Sequence, residues 1–258
     1  GRCLVLGAGK AAASMALALE EYAKKEWPEA ILEGMVITRY GHGLPTQSIR
    51  VIEAGHPVPD DAGMRGAQET LELIKTLQPG DQLIALISGG GSSLLTLPAE
   101  GLTIEDLRTT TQALLMSGAP IGQMNVVRKH LSAILGGHMA REAAKRDAEV
   151  DAFLMSDVTG DHPSSIASGP CAPDESTFAD ALQILKDFDL LRGQIPTSVM
   201  DYLQQGVAGR KPETPKSGDP IFQNIHNHLL ATAHACLESA ADYVRSQGVE
   251  AVIFGDTV

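Results

Sequence analysis

The chain has 258 residues, 43% hydrophobic and 20% charged, a balance suited to a globular protein of one large domain or two modest ones. Its formal net charge of −12 argues against non-specific nucleic-acid binding, and an anionic substrate would need a local cationic pocket against that field. No apolar run approaches the roughly 18 residues that span a bilayer, and three widely spaced cysteines, Cys3, Cys171 and Cys236, argue against a disulfide framework and fit a reducing cytoplasm.

The opening stretch Gly1–Gly7 lacks the cleavage region of a signal peptide and runs straight into a glycine turn. Cys3–Leu6 reads as a strand and Ala11–Lys24 as a helix; Gly34–Thr38 and Arg50–Glu53 read as strands. Asp61–Leu77 has helical spacing after the capping residue Asp60, and Gln82–Ile87 is a buried-strand run. Ile104–Met116 is a helix capped by Thr103, with Asp106 completing a capping-box variant and Leu102 and Leu107 a hydrophobic staple. Val126–Lys145 reads as helical and Asp151–Met155 as a strand. In Thr177–Phe188 the residues Phe178, Ala181, Leu182, Leu185 and Phe188 share one apolar helical face.

The proline-bearing stretch 210–220 reads as a linker. Phe222–Ser246 beyond it reads as a helix and Glu250–Phe254 as a strand. This alternation predicts an α/β fold, a doubly wound and mainly parallel sheet with helices on both faces. The expected division is a domain over 1–209, the linker over 210–220, and over 221–258 the start of a second α/β region that is incomplete here.

Ser88-Gly89-Gly90-Gly91-Ser92-Ser93 carries the most chemical information. It follows a strand, and its glycines and hydroxyls suit either a flexible turn or a cradle for phosphate or carboxylate oxygens. Gly7-Ala8-Gly9-Lys10-Ala11-Ala12 fits G-x-G-x-x-A, the dinucleotide pattern, and Arg39 after the next strand could suit a 2′-phosphate. Lys10, however, is a cation placed against the positive end of a helix, which makes sense if an anion sits between them.

Asn125 can cap a helix whose start holds Arg128 and Lys129, a bidentate gripper and a point charge for anions, or else a solvated basic turn. Asp157, at a strand end, could accept a hydroxyl proton or help hold Mg²⁺; Asp161 is a second candidate, or an Asx-turn with Gly160. His56, beside the rigid Pro57-Val58-Pro59 turn, could donate a hydrogen bond to an anion. Cys171 reads as a bystander, and His226, His228 and His234 as helix-surface residues. Glycine-bearing strand ends, basic elements and an aspartate pair on one sheet edge suit phosphoryl transfer better than hydride transfer, which would leave the Ser88–Ser93 loop idle.

Six motifs in order carry a resemblance over nearly the whole chain: Gly7-Ala8-Gly9-Lys10-Ala11, His56-Pro57-Val58-Pro59-Asp60, Ser88-Gly89-Gly90-Gly91-Ser92, Asn125-Val126-Val127-Arg128-Lys129, Ser156-Asp157-Val158 and Ile166-Ala167-Ser168-Gly169-Pro170. Together they resemble glycerate 2-kinase of the class with a C-terminal MOFRL domain, relatives of which have also been labelled hydroxypyruvate reductase.

The resemblance implies ATP- and Mg²⁺-dependent phosphorylation of the small molecule D-glycerate to 2-phosphoglycerate in a cleft between two α/β domains. It implies Lys10 on the transferring phosphoryl group, Ser88, Gly89, Gly90, Gly91, Ser92 and Ser93 around substrate or phosphate oxygens, Arg128 with Asn125 on a carboxylate or phosphate, and Asp157 as base or Mg²⁺ contact. A homodimer is compatible with it.

The chain departs from the family where Leu135-Gly136-Gly137-His138 replaces the common Lys-Gly-Gly-Arg, and where Cys171 follows Ser168-Gly169-Pro170. The MOFRL motifs, expected after Val258, and an N-terminal helical segment are not in this sequence, which reads as a piece of a longer protein. An NAD(P)-dependent hydroxypyruvate reductase and a non-catalytic sugar-acid or phosphate-binding domain are the alternatives.

Overall fold

The structure, a computed structural model, describes residues 2–255. Strand β1 (Arg2–Ala8) leads through a glycine turn into helix α1 (Ala12–Glu26); β2 (Ile31–Arg39) and β3 (Ile49–Ala54) follow. Helix α2 (Asp61–Ile74) is capped as expected, Asp60 accepting from Gly63 N at 2.9 Å. Strand β4 (Gln82–Ser88) ends in the short helix α3 (Gly91–Leu94). Helix α4 (Ile104–Met116) carries the full Thr103–Asp106 capping box. Then come α5 (Ile121–His130), α6 (His138–Ala144) and β5 (Glu149–Met155). Helix α7 (Phe178–Asp187) has a capping box of its own, Thr177 with Asp180; α8 (Thr197–Val207), β6 (Ile225–Ala231) and α9 (Ala233–Ser246) complete the order.

The strands form one sheet in the order β3-β2-β1-β4-β5-β6, and each neighbouring pair is parallel. This is the expected doubly wound α/β fold. Alternation along the strands sorts the core. Leu4, Leu6, Ile37, Leu83 and Ile87 face α2 and α6, while Val5, Val36, Ile84 and Leu86 face Ala12 and Ala16 of α1. Leu114, Val127, Phe178, Leu185, Val199 and Leu203 on α4, α5, α7 and α8 form a second hydrophobic cluster. The α7 stripe splits there: Phe178, Ala181 and Leu185 are buried, and Leu182 and Phe188 are partly so.

Four expectations are corrected. The helix expected over Val126–Lys145 is two helices. Gly136 and Gly137 adopt φ of +60° and +83° between them, and their N–H groups bond Ser168 and Gly169 carbonyls at 2.9 and 2.8 Å. The helix expected over Phe222–Ser246 is strand β6 followed by α9: the open edge of β5 takes residues 225–231 into the sheet, and Thr232 caps a new helix by accepting from Ala235 N. His226 and His228 therefore lie on a strand, where His228 bonds Asp151 at 2.6 Å and stacks on Phe153. Glu250–Phe254 is not a regular strand and pairs with no strand among the described residues. Residues 213–217, inside the proline-bearing stretch, are tied to the body. Thr214 is buried, Pro215 O accepts from Asp174 N at 2.9 Å, and Lys216 donates to Ser176 O.

Candidate active site

The strand order switches direction between β1 and β4, and a ligand crevice forms at the carboxyl ends beside such a point. Lys10 follows β1, His56 follows β3, the Ser88–Ser93 loop ends β4, and Asp157 follows β5. The structure brings all four together. Lys10 Nζ donates to Asp157 Oδ2 at 2.6 Å, with 41% and 43% of the two side chains exposed. A Cβ on Gly89 would lie 1.9 Å from Asp157 Oδ2. At Gly90, which needs a left-handed φ of +84°, it would lie 2.8 Å from His56 Nε2 and 3.2 Å from Lys10 Cγ. Glycine is thus required where the loop passes beneath the ion pair and the imidazole. Burial, then the nearby Lys10 and Arg39 cations, hold His56 below its ordinary pKa, which favours the neutral ring with one hydrogen-bond donor and one acceptor nitrogen.

The first turn has spent its donors. Gly9 N bonds Ile37 O, Lys10 N bonds Gly89 O at 2.8 Å, Ala11 N bonds Ser88 Oγ at 3.0 Å and Ala12 N bonds Gly9 O. A dinucleotide-binding turn keeps such N–H groups for the pyrophosphate; here they lock the β1 turn to the β4 loop. Ser88 is correspondingly buried.

Farther along the loop, Ser92 Oγ lies 2.8 Å from Ser168 Oγ, and Ser93 Oγ donates to Gly90 O at 3.2 Å. Ala167 and Ser168 hold left-handed φ of 50° and 57°, a cost of order 1 kcal/mol or more each that surrounding structure must offset. Ser92 and Ser93 line a cavity of about 30 Å³ that also receives Thr110, Leu135 and Arg128. Arg128 Nη1 reaches only Asn125 Oδ1, at 3.5 Å, and among the described residues no carboxylate pairs with it; burial holds its pKa below the ordinary value. Thr110 is 2% exposed and its Oγ1 has no partner among the described residues. The sequence reading passed over Thr110. Its signal was a polar residue in the apolar stripe of α4, at i+3 from Leu107 and i−4 from Leu114.

The basic element itself needs correcting. Helix α5 begins after Pro120, so Asn125 lies mid-helix, and Arg128 and Lys129 occupy the last turn, where cations suit the macrodipole. Lys129 and Arg128 also part company: Lys129 Nζ meets Asp174 Oδ1 at 3.3 Å, both side chains buried, while Arg128 lines the cavity. Asp161 sits in the turn after Asp157, at a left-handed φ of 53°, with its N–H on Val158 O. Among the described residues no group of three or more His, Cys, Asp or Glu is placed to hold a metal. What is available fits Mg²⁺ in its usual protein mode, one or two carboxylates with nucleotide phosphates supplying the remaining oxygens.

His138, at the family departure, donates from Nδ1 to Ser132 O at 2.9 Å, and its buried Nε2 has no partner among the described residues. Burial, then Arg141, lowers its pKa from 6.5 to about 4. The unfolded chain therefore binds a proton between pH 6.5 and 4 that the folded chain does not. Stability contributed here is full above pH 6.5 and is lost as pH falls toward 4, by up to about 3 kcal/mol. Denaturant melts at pH 7.5 and 4.5 should register this, and His138→Gln should lose less stability over that interval than the wild type. An identical loss in both would show that another group titrates there.

Residues 1–204 match the family model described as "Domain of unknown function (DUF4147)", and the chain belongs to that family. It is 40% identical over its whole length to a glycerate 2-kinase of Pyrococcus horikoshii, and 45% identical over its whole length to a putative hydroxypyruvate reductase of Agrobacterium vitis. The solved glycerate kinase of Thermotoga maritima superposes on 98% of the chain with a TM-score of 0.81 at 38% identity. The chain spans about half the length of these relatives: 56% of the first, 55% of the second and 56% of the solved chain.

Proposed function

We propose that the protein is a D-glycerate 2-kinase, to which this chain contributes the phosphoryl-transfer machinery. The observation that carries the reading is the Lys10–Asp157 pair poised at 2.6 Å over the Gly89–Gly91 loop at the topological switch point. The C2 hydroxyl oxygen of D-glycerate attacks the γ-phosphorus of ATP. The bond from that phosphorus to the bridging oxygen breaks, ADP leaves, and the hydroxyl proton passes to the Asp157 carboxylate. Lys10 follows the charge spread over the transferring oxygens, leaving its partner as the anionic nucleotide arrives. The neutral His56 beside Gly90 donates to a phosphoryl oxygen. Arg128, supported by Asn125, binds the acidic group of the substrate, and Ser92 and Ser93 line its path. Mg²⁺ held by Asp157 or Asp161 would neutralise phosphate charge.

The relatives named glycerate kinase, one of them solved, support the kinase, and the putative hydroxypyruvate reductases are the weaker alternative. The N–H groups of the Gly9–Ala12 turn are committed to the β2 and β4 ends and to the turn itself, which favours the kinase over a dinucleotide turn that keeps them for a pyrophosphate. The test supplies the full-length protein with D-glycerate and Mg-ATP, and separately with hydroxypyruvate and NAD(P)H. ADP and 2-phosphoglycerate are expected in the first mixture and no reaction in the second; oxidation of NAD(P)H without ADP formation would reverse the assignment.

A further inference from the structure

The cavity between α3, α4 and α5 has the makings of a one-anion seat. Of its lining side chains, Arg128 is the only charged one. Its guanidinium is largely buried, and among the described residues no carboxylate pairs with it. A charge withdrawn from water with no partner is costly unless a ligand supplies the counter-ion.

The buried hydroxyls around it are engaged elsewhere: Ser93 donates to Gly90 O, Thr96 donates to Ser93 O, and Ser132 Oγ accepts from the N–H groups of Ile134 and Leu135. Thr110 is the exception. A helical threonine ordinarily returns its hydroxyl to the i−4 carbonyl, yet Thr110 Oγ1 is buried with no partner among the described residues.

We infer that this cavity seats the carboxylate of the acceptor acid, with Arg128 as counter-ion and Thr110 as hydroxyl donor, and that Thr110 is a specificity-determining residue selecting short hydroxy acids over neutral alcohols. The inference rests on the kinase reading above.

Size and charge suit a single carboxylate. About 30 Å³ holds roughly two water-sized groups, enough for two carboxylate oxygens. One guanidinium balances one carboxylate charge, whereas a phosphoryl dianion would remain half compensated. Leu135 and Leu131 make the neighbouring walls apolar, which strengthens the ion pair. Position fits as well. Ser93, in the cavity, follows Gly90, beneath Lys10 and His56, by one helical turn, about 5 Å. An acid anchored by its carboxylate thus presents its hydroxyl toward the Lys10–Asp157 pair. A neutral alcohol such as glycerol would leave Arg128 and Thr110 unpaired and be rejected.

The experiment compares Thr110→Val and Thr110→Ser in the full-length protein. Valine keeps the shape and removes the hydroxyl, so KM for D-glycerate should rise about 10- to 100-fold. The kcat and the KM for ATP should hold, and the melting temperature should hold or rise, because an unpartnered hydroxyl has left the core. Serine should restore KM to near the wild-type value. A Thr110→Val protein with unchanged KM for D-glycerate would overturn the inference and leave the kinase reading standing. Wild-type protein that makes no ADP from D-glycerate would overturn the kinase reading, and the inference with it.

Discussion

Lys10→Ala is expected to lower kcat for D-glycerate phosphorylation by about 10²- to 10³-fold, while the free energy of unfolding changes by less than about 1 kcal/mol. The two halves of this result come from one geometry. Lys10 and Asp157 form a short ion pair, but some 40% of each side chain faces water, so solvent already compensates most of what the pair could contribute to stability. The same exposure leaves Lys10 free to meet a ligand. Its place just ahead of α1, against the positive end of the helix, is unfavourable for a cation unless an anion answers it. Asp157 is that anion in this structure, and under the proposed kinase reading a transferring phosphoryl group is the stronger one. Activity and thermal melts measured on the same preparation separate the roles. A variant whose melting temperature falls in step with its kcat would make Lys10 a structural residue.

The motifs of this site were legible because each is a strand followed by a turn with distinctive chemistry. An apolar run ending in Ser88-Gly89-Gly90-Gly91 announces both the strand and the need for close backbone approach, and doubly wound order then places all such ends on one edge. What stayed hidden depends on side-chain direction and on tertiary competition. Arg128 and Lys129 are neighbours in sequence, yet successive residues on a helix point about 100° apart, so one lines a cavity and the other enters an ion pair with Asp174, a residue the chain order does not link to either. Ile225, Leu229, Ala233 and Leu237 keep helical spacing across a boundary where the first half is a strand; the free edge of β5 overrides the period, and only Thr232 as a cap marked the break. Asn125 resembled a cap, but the start signal was Pro120, directly ahead of Ile121 where the helix begins. Thr110 was readable only as a flaw in an apolar stripe.

Lys129→Met tests the other side of the basic element, and here stability is the quantity that should move. Lys129 and Asp174 are 8% and 3% exposed, and Asp174 Oδ2 is buried without a partner even with the lysine present. Burial works to raise the Asp174 carboxyl, but Lys129 and the hydrogen bonds from Ser176 outweigh it and keep the group below its ordinary pKa, hence ionised. Removing the ammonium leaves a buried carboxylate with only the Ser176 donors. The expected cost is about 3–5 kcal/mol, a fall in melting temperature on the order of 10 °C for a chain of this size. Lys129→Met combined with Asp174→Asn should recover part of that loss, because the uncompensated charge goes with its partner. Denaturant melts of the two single variants and the double variant provide the cycle. A Lys129→Met protein that melts like the wild type but binds D-glycerate poorly would instead place Lys129 beside Arg128 as a ligand residue. The geometry argues the other way, since the ammonium is already engaged with Asp174 and the guanidinium next to it in sequence is the one without a counter-ion.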